Sequence, residues 1–191
     1  MNKIHSSLIF LYIKKCLKII LIRFTILLHH TIRSDTMCFY SKIYKENINT
    51  ATVLYSRRVG AYGHENVILM ENFKKWLKEN KLFDDNTVIL AIPLDNPNII
   101  KAEQCRYDVC MIYSGSDKIS SENVKMRKIT GGKYVIFLIE HTNEAIKKAW
   151  QECFFELEKL GYLLDISKPI IERYVKKLVD KHYCELCIPI L

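Results

Sequence analysis

The chain has 191 residues, 49% of them apolar and 26% charged, with 2 Trp and 11 Tyr. That is enough apolar material for one cored domain, and it excludes a disordered chain. The net charge of +8 is unevenly spread: residues 1–36 carry six Lys/Arg against Asp35, whereas the other 155 residues carry 23 basic and 20 acidic side chains. The body is therefore close to balanced, and no lysine-rich nucleic-acid face is implied.

The stretch LIFLYIKKCLKIILIRFTILL (residues 8–28) has the length of a membrane span but holds Lys14, Lys15, Lys18 and Arg23. Each would cost about 2.5–3.5 kcal/mol at a bilayer centre, so no membrane span is expected. A secretory signal would need an unbroken apolar run and a small-residue cleavage site, and both are missing. An interfacial basic helix, a degenerate leader, and upstream sequence preceding a true start at Met37 remain open, with the last preferred. Residues 1–42 are read as an extension outside the fold, and 43–191 as the domain.

TATVLYSRRV (50–59) is rich in β-formers and predicts a strand. GAYG (60–63) is a turn that passes into a helix over 65–82, with Val67, Leu69, Met70, Phe73, Trp76 and Leu77 on one stripe. TVILAIPL (87–94) predicts a buried strand, NPNIIKAEQ a loop, and CRYDVCMIY (105–113) another strand. After a polar loop, VKMRKITGG (124–132) predicts an edge strand ending in a Gly-Gly turn. GKYVIFLIEH (132–141) is a strand, and 143–161 a helix with Asn143 as its N-cap and Gly161 as its stop. Its stripe is Ala145, Ile146, Ala149, Trp150, Cys153, Phe154 and Leu157. PIIERYV (169–175) and YCELCIPIL (183–191) complete the set as strands.

The order repeats. An offset of 81 carries Val53 to Tyr134, Phe73 to Phe154, Trp76 to Leu157, Asp84 to Asp165 and Ile89 to Ile170, and an offset of 77 carries DVCM (108–111) to ELCI (185–188). The expected architecture is α+β: a tandem strand–helix–strand–strand repeat, with halves at about 50–115 and 124–191. They form one pseudo-twofold antiparallel sheet with both helices on one face. A ligand cleft is expected where the opposite face curves across the axis.

Positions where the halves differ are the candidates for chemistry. Glu172 lies in an apolar strand where its counterpart is Ala91, and an acid there is costly without a partner. Strand alternation puts Ile170, Glu172 and Tyr174 on one face and Arg173 on the other. A carboxylate among aromatic rings can pair with a cation, act as a general acid or base, or form a structural salt bridge. Arg106 and Asp108 share a strand face and are expected to form a structural ion pair. Tyr107 either lines the cleft or packs in the core, Trp76 and Trp150 fall on core stripes, and Tyr62 in the turn is a contact candidate. Cys184 and Cys187 have half a zinc-site spacing with no second half, so they are read as two strand cysteines. The seven Cys are read as reduced thiols of a cytoplasmic protein. No metal site, phosphate loop or cofactor is expected.

LYSRRVGAYG, DNPNIIKAEQCRYDVC, GGKYVIFLIEHTNEAIKKAWQECF, KPIIERYV and ELCIPI occur in order over residues 43–191. In these blocks the chain resembles the GyrI-like small-molecule-binding domain, which is also found as the effector-binding part of AraC-type and MerR-type multidrug regulators and in DNA gyrase inhibitors. The resemblance implies the duplicated fold and a cleft with a central acid and aromatic walls. The family's acid falls in a P-x-x-E-x-Y block, here Pro169, Glu172 and Tyr174, and Tyr107 and Trp150 match its aromatic positions. It implies a module binding lipophilic, often cationic compounds as a sensor or by sequestration in regulation or drug and toxin response. The alternatives are a hydrolase of reactive genotoxic compounds with Glu172 as general base, and gyrase inhibition through protein contact. Nothing in residues 1–42 resembles the helix-turn-helix pair of AraC-type members. The expectation is thus a free-standing binding domain or a fragment of a regulator. Its partner would be a small molecule, with a regulator or gyrase protein as a further partner and no direct nucleic-acid contact.

Overall fold

The architecture is that of a computed structural model, which describes residues 38–116, 119 and 121–191. The apolar basic stretch 8–28 lies outside the described residues. The chain runs β1 (Lys42–Ile48), β2 (Ala51–Val59), α1 (His64–Glu79), β3 (Val88–Pro93), a 3-10 turn (Ala102–Gln104) and β4 (Arg106–Ile112). It then repeats as β5 (Lys125–Ile129), β6 (Gly132–Glu140), α2 (Asn143–Lys159), β7 (Ile171–Val175), the short α3 (Lys176–Val179) and β8 (Tyr183–Pro189). The corner from β2 into α1 turns at Gly63, whose φ of 153° and ψ of −142° suit only a residue without a Cβ.

All eight strands form one antiparallel sheet in the order β1-β6-β8-β7-β3-β4-β2-β5. Exchanging β1–β4 for β5–β8 reverses this order onto itself, so the pseudo-twofold axis passes between β3 and β7. The predicted edge strand is β5. The sequence reading assigned no strand to 42–48, and β1 is the opposite edge. Each half therefore begins with an extra strand that pairs with the other half, β1 on β6 and β5 on β2. Phe39 and Tyr40, assigned to the extension from sequence, belong to the folded unit: Phe39 is buried against Phe137, and the Tyr40 hydroxyl donates to Glu156 in α2 at 3.0 Å.

Both helices pack on the same face. Phe73 and Leu77 of α1 are buried on Leu54, Ile89, Val109 and Met111, and Ala149, Cys153 and Leu157 of α2 on Val135, Phe137, Leu186 and Ile188. Each large side chain so buried contributes roughly 1.5–3 kcal/mol. Matching Phe73 and Leu77 to Cys153 and Leu157 sets the helix offset at 80, not 81. The expected pairing of Phe73 with Phe154 is thus one residue out of step, and Phe154 stays substantially exposed. The Asp84–Asp165 equivalence holds: each carboxylate accepts from the backbone N–H two residues on, at 2.8 and 3.0 Å. α2 is capped by Thr142 rather than Asn143, the Thr142 hydroxyl accepting from Ala145 N–H at 3.1 Å.

The second face carries its own core of Val53, Leu90, Ile92, Cys110, Tyr134, Ile136, Ile171 and Cys187. It is closed because the sheet curls: the two-residue links between β1 and β2 and between β5 and β6 meet where Gly131 N–H donates to Thr50 Oγ1 at 3.0 Å. A Cβ at Gly131 would collide with the Ile48 carbonyl oxygen. Cys184 and Cys187 are ordinary β8 residues buried on opposite faces.

Two ionic clusters lie on this second face. Asp108 is fully buried and accepts from Arg57 (2.6 and 2.9 Å) and Arg127 (2.7 Å), not from Arg106. Arg106 instead grips Asp95 at 2.9 and 2.8 Å, which corrects the expected Arg106–Asp108 pair. The strand partner of Asp108 across β2 is Arg57, so cross-strand register overrides same-strand proximity. In the other half Arg173 joins Glu185 (2.7 Å) and Glu46 (2.9 and 2.7 Å), and the Tyr44 hydroxyl donates to Glu185. Asp108→Asn leaves two arginines without a counter-charge and is expected to cost about 3 kcal/mol of stability, measured by urea unfolding.

Candidate functional site

Tracing the sheet to its axis leads to Glu172. It sits in β7, one of the two central strands, with Ala91 of β3 and Leu186 of β8 as register partners. The small Ala91 leaves room beside the carboxylate, which points to the helix-bearing face. There α1 and α2 stand apart across a cleft of about 720 Å³, with Glu172 on its wall. The cleft is thus on the same face as the helices, not on the opposite one. The opposite face is filled by its own core as the sheet curls, and the gap remains between the helices.

Each side chain is placed by its element. Ala149, Cys153 and Leu157 of α2 face the sheet, so Trp150 and Phe154, one position on, are turned by about 100° toward the cleft. Trp150 Nε1–H donates to Glu172 Oε1 at 2.5 Å. The Tyr174 hydroxyl donates to Glu172 Oε2 at 2.7 Å from the same strand face, although Tyr174 itself stands behind the cleft wall. Tyr107 of β4 is both core and wall, at 8% exposure. Tyr62, from the Gly60–Gly63 corner, has its ring 5.9 Å from that of Tyr107. Its hydroxyl donates to the Asp95 carbonyl at 2.9 Å and accepts from Asp95 N–H at 3.1 Å, tying the corner to the wall.

The electrostatics single out Glu172. Among the described residues no Lys, Arg or His forms an ion pair with it. Burial raises its carboxyl above the ordinary range, opposed by the hydrogen bonds from Tyr174 and Trp150. Burial, reinforced by the Glu172 charge, raises the Tyr107 and Tyr174 phenols as well. The other two acids of the cleft are already neutralised. Asp95 is held down to about 2 chiefly by its hydrogen bonds from Arg106, and Asp165 to about 2 by Lys168 and Ser167. The arrangement is an aromatic and aliphatic hollow with one uncompensated acid.

All five residues singled out from sequence gather here: Glu172, Tyr107, Trp150 and Tyr62 on the wall, and Tyr174 as the donor behind Glu172. Sequence reasoning missed Phe154, Ile166 and the loop 94–98. That loop had a signal. The offset falls from 81 to 77 between the third and fourth strands, where residues 94–105 of the first half answer to 176–182 of the second. Residues 94–98 of this longer connection form part of the cleft wall. Among the described residues no group of three or more His, Cys, Asp or Glu could hold a metal, and no helix is long and apolar enough to cross a membrane.

Comparison with known proteins places the family and the fold. YosT, an SPbeta prophage-derived protein of Bacillus subtilis (strain 168) that carries the name of a transcriptional regulator, is 41% identical over 150 residues, 78% of this chain and 99% of that one. In fold the chain is similar to the EcmrR C-terminal domain, with a TM-score of 0.61 at 15% identity, over 78% of this chain and 97% of that one. It is also similar to SAV2435, solved bound to tetraphenylphosphonium, with a TM-score of 0.52 at 13% identity over 78% of this chain and 94% of that one. Residues 41–191 match the GyrI-like family as a whole, and the chain is a member of it: a GyrI-like small molecule binding domain.

Proposed function

We propose that this chain receives lipophilic cations in the Glu172 cleft, and acts through that binding as a sensor or sequestering module in transcription regulation or in the response to drugs and toxins. The observation that carries the reading is the Glu172 carboxylate, without a counter-charge and ringed by Trp150, Tyr107 and Tyr174 in a cleft of about 720 Å³. A cation entering there supplies the missing charge, while aromatic faces add cation–π attraction and apolar walls take up the rest of the ligand. Membership in a small-molecule-binding family supports a ligand in this cleft, and a fold neighbour holding tetraphenylphosphonium supports the cationic class.

Two ions of the same shape and opposite charge test it. Tetraphenylphosphonium is expected to raise the melting temperature and tetraphenylborate to leave it unmoved; equal effects of both would remove the electrostatic basis of the reading. Glu172→Gln is expected to weaken the cation by about tenfold to a hundredfold, the range for a bond to a charged group. The raised carboxyl would also suit a general base, and the same variant separates the two roles. A hydrolase loses turnover while binding survives, and a receptor loses binding with no turnover to lose. A gyrase-contact role would leave both measurements unchanged.

The pH dependence has a definite sign. The ionised form binds the cation, and burial moves its loss to a pH above the ordinary 4.5. Affinity should therefore fall as pH is lowered through that region, and cation binding should release protons. Calorimetry in buffers of different ionisation heat measures both. Trp150→Phe keeps an aromatic wall but removes the Nε1–H donor. It is expected to raise the Glu172 titration midpoint further and to weaken the cation about fivefold at neutral pH, followed by carboxyl carbon NMR and fluorescence-independent calorimetry.

A further inference from the structure

The pseudo-twofold relation predicts a second opening at the far end of the gap between the helices. Gly60, Ala91 and Pro93 stand 81 positions before His141, Glu172 and Tyr174. At the cleft end, Pro93 lines the opening and Gly60 contributes no side chain. At the far end their counterparts fill the space: the His141 and Tyr174 rings meet at 5.3 Å between centroids with their planes at 59°. Tyr174 wedges between the two helix cores, packing on both.

His141 is held from two directions. Its backbone N–H donates to the His182 carbonyl at 2.8 Å, and it immediately precedes Thr142, the cap of α2. Its ring is half-buried, and burial, with Lys74 and His182 nearby, keeps it neutral further down the pH scale than an ordinary imidazole. The Tyr174 phenol thus has the His141 ring against its own ring and the Glu172 carboxylate at its hydroxyl.

We propose that His141 is a positioning residue for the candidate site: its ring fixes that of Tyr174, so that the hydroxyl stays on Glu172 and favours the ionised carboxylate a cation needs. This deepens the receptor reading above and rests on it, but the hydrogen bond can be tested without a ligand.

The test uses the full chain, with tetraphenylphosphonium as the probe and the Glu172 carboxyl followed by carbon NMR. His141→Ala is expected to weaken the probe about fivefold to tenfold and to raise the Glu172 titration midpoint, because the bond favouring the ionised form loosens. His141→Phe keeps a ring and is expected to restore both. In a Tyr174→Phe background, His141→Ala should change neither, since the hydroxyl it acts through is gone. Should the alanine variant fail to fold, His141→Gln keeps bulk without the ring and is expected to behave as the alanine does. An unmoved Glu172 midpoint in the folded ring-less variant overturns the proposal, as does a His141→Phe protein that folds without restoring it. If the wild type binds no tetraphenylphosphonium, the receptor reading fails, while the carboxyl titration still decides the role of His141.

Discussion

A strand–helix–strand–strand unit of some 65 residues cannot cover both faces of its own small sheet, and this constraint organises the molecule. One helix shields one face and leaves the other open. The chain meets the constraint by exchange: each half lends its first strand to the other, β1 to β6 and β5 to β2, and the joined sheet then curls until the short links beside Thr50 and Gly131 touch. The closed interior this creates is apolar at its centre and is flanked by ionic clusters around Asp108 and Arg173. Strands from both halves supply these charges, so each cluster also staples the exchange.

With the second face largely filled, the cleft lies on the other side, between the two helices. Symmetry alone would furnish two equal hollows there. Three substitutions between the repeats remove the equality. An acid replaces Ala91, and the His141 and Tyr174 rings replace Gly60 and Pro93, so one end is a cleft wall and the other is filled. Desolvation raises the cost of the charge on Glu172, and the indole and phenol donors offset part of that cost without neutralising it. An ion pair would have given more stability and left nothing for a ligand to satisfy.

Much of this was legible in the sequence. The repeat was visible because buried strands and amphipathic helices carry periods of 2 and 3.6, and because an offset of 81 brings Asp84 onto Asp165 and Ile89 onto Ile170. Glu172 stood out by its cost in an apolar strand. What escaped has physical causes. β1, KIYKENI, is an edge strand with polar side chains along much of its length, so its composition does not announce burial. The partners of Asp108 come from neighbouring strands whose register no single-strand pattern contains. Helix offsets shift by one residue without disturbing a strand, which is how Phe154 came to be matched with Phe73. The face bearing the cleft depended on which side the sheet curls toward, and that is decided by the exchanged strands.

Part of the cleft wall, residues 94–98, belongs to the connection between the third and fourth strands, which is longer in the first half than in the second. Such a segment can lengthen, shorten or change composition while every strand keeps its register and both helices keep their seats. The rim of the cleft can thereby be edited without disturbing the fold, while the acid at its centre stays tied to a core strand.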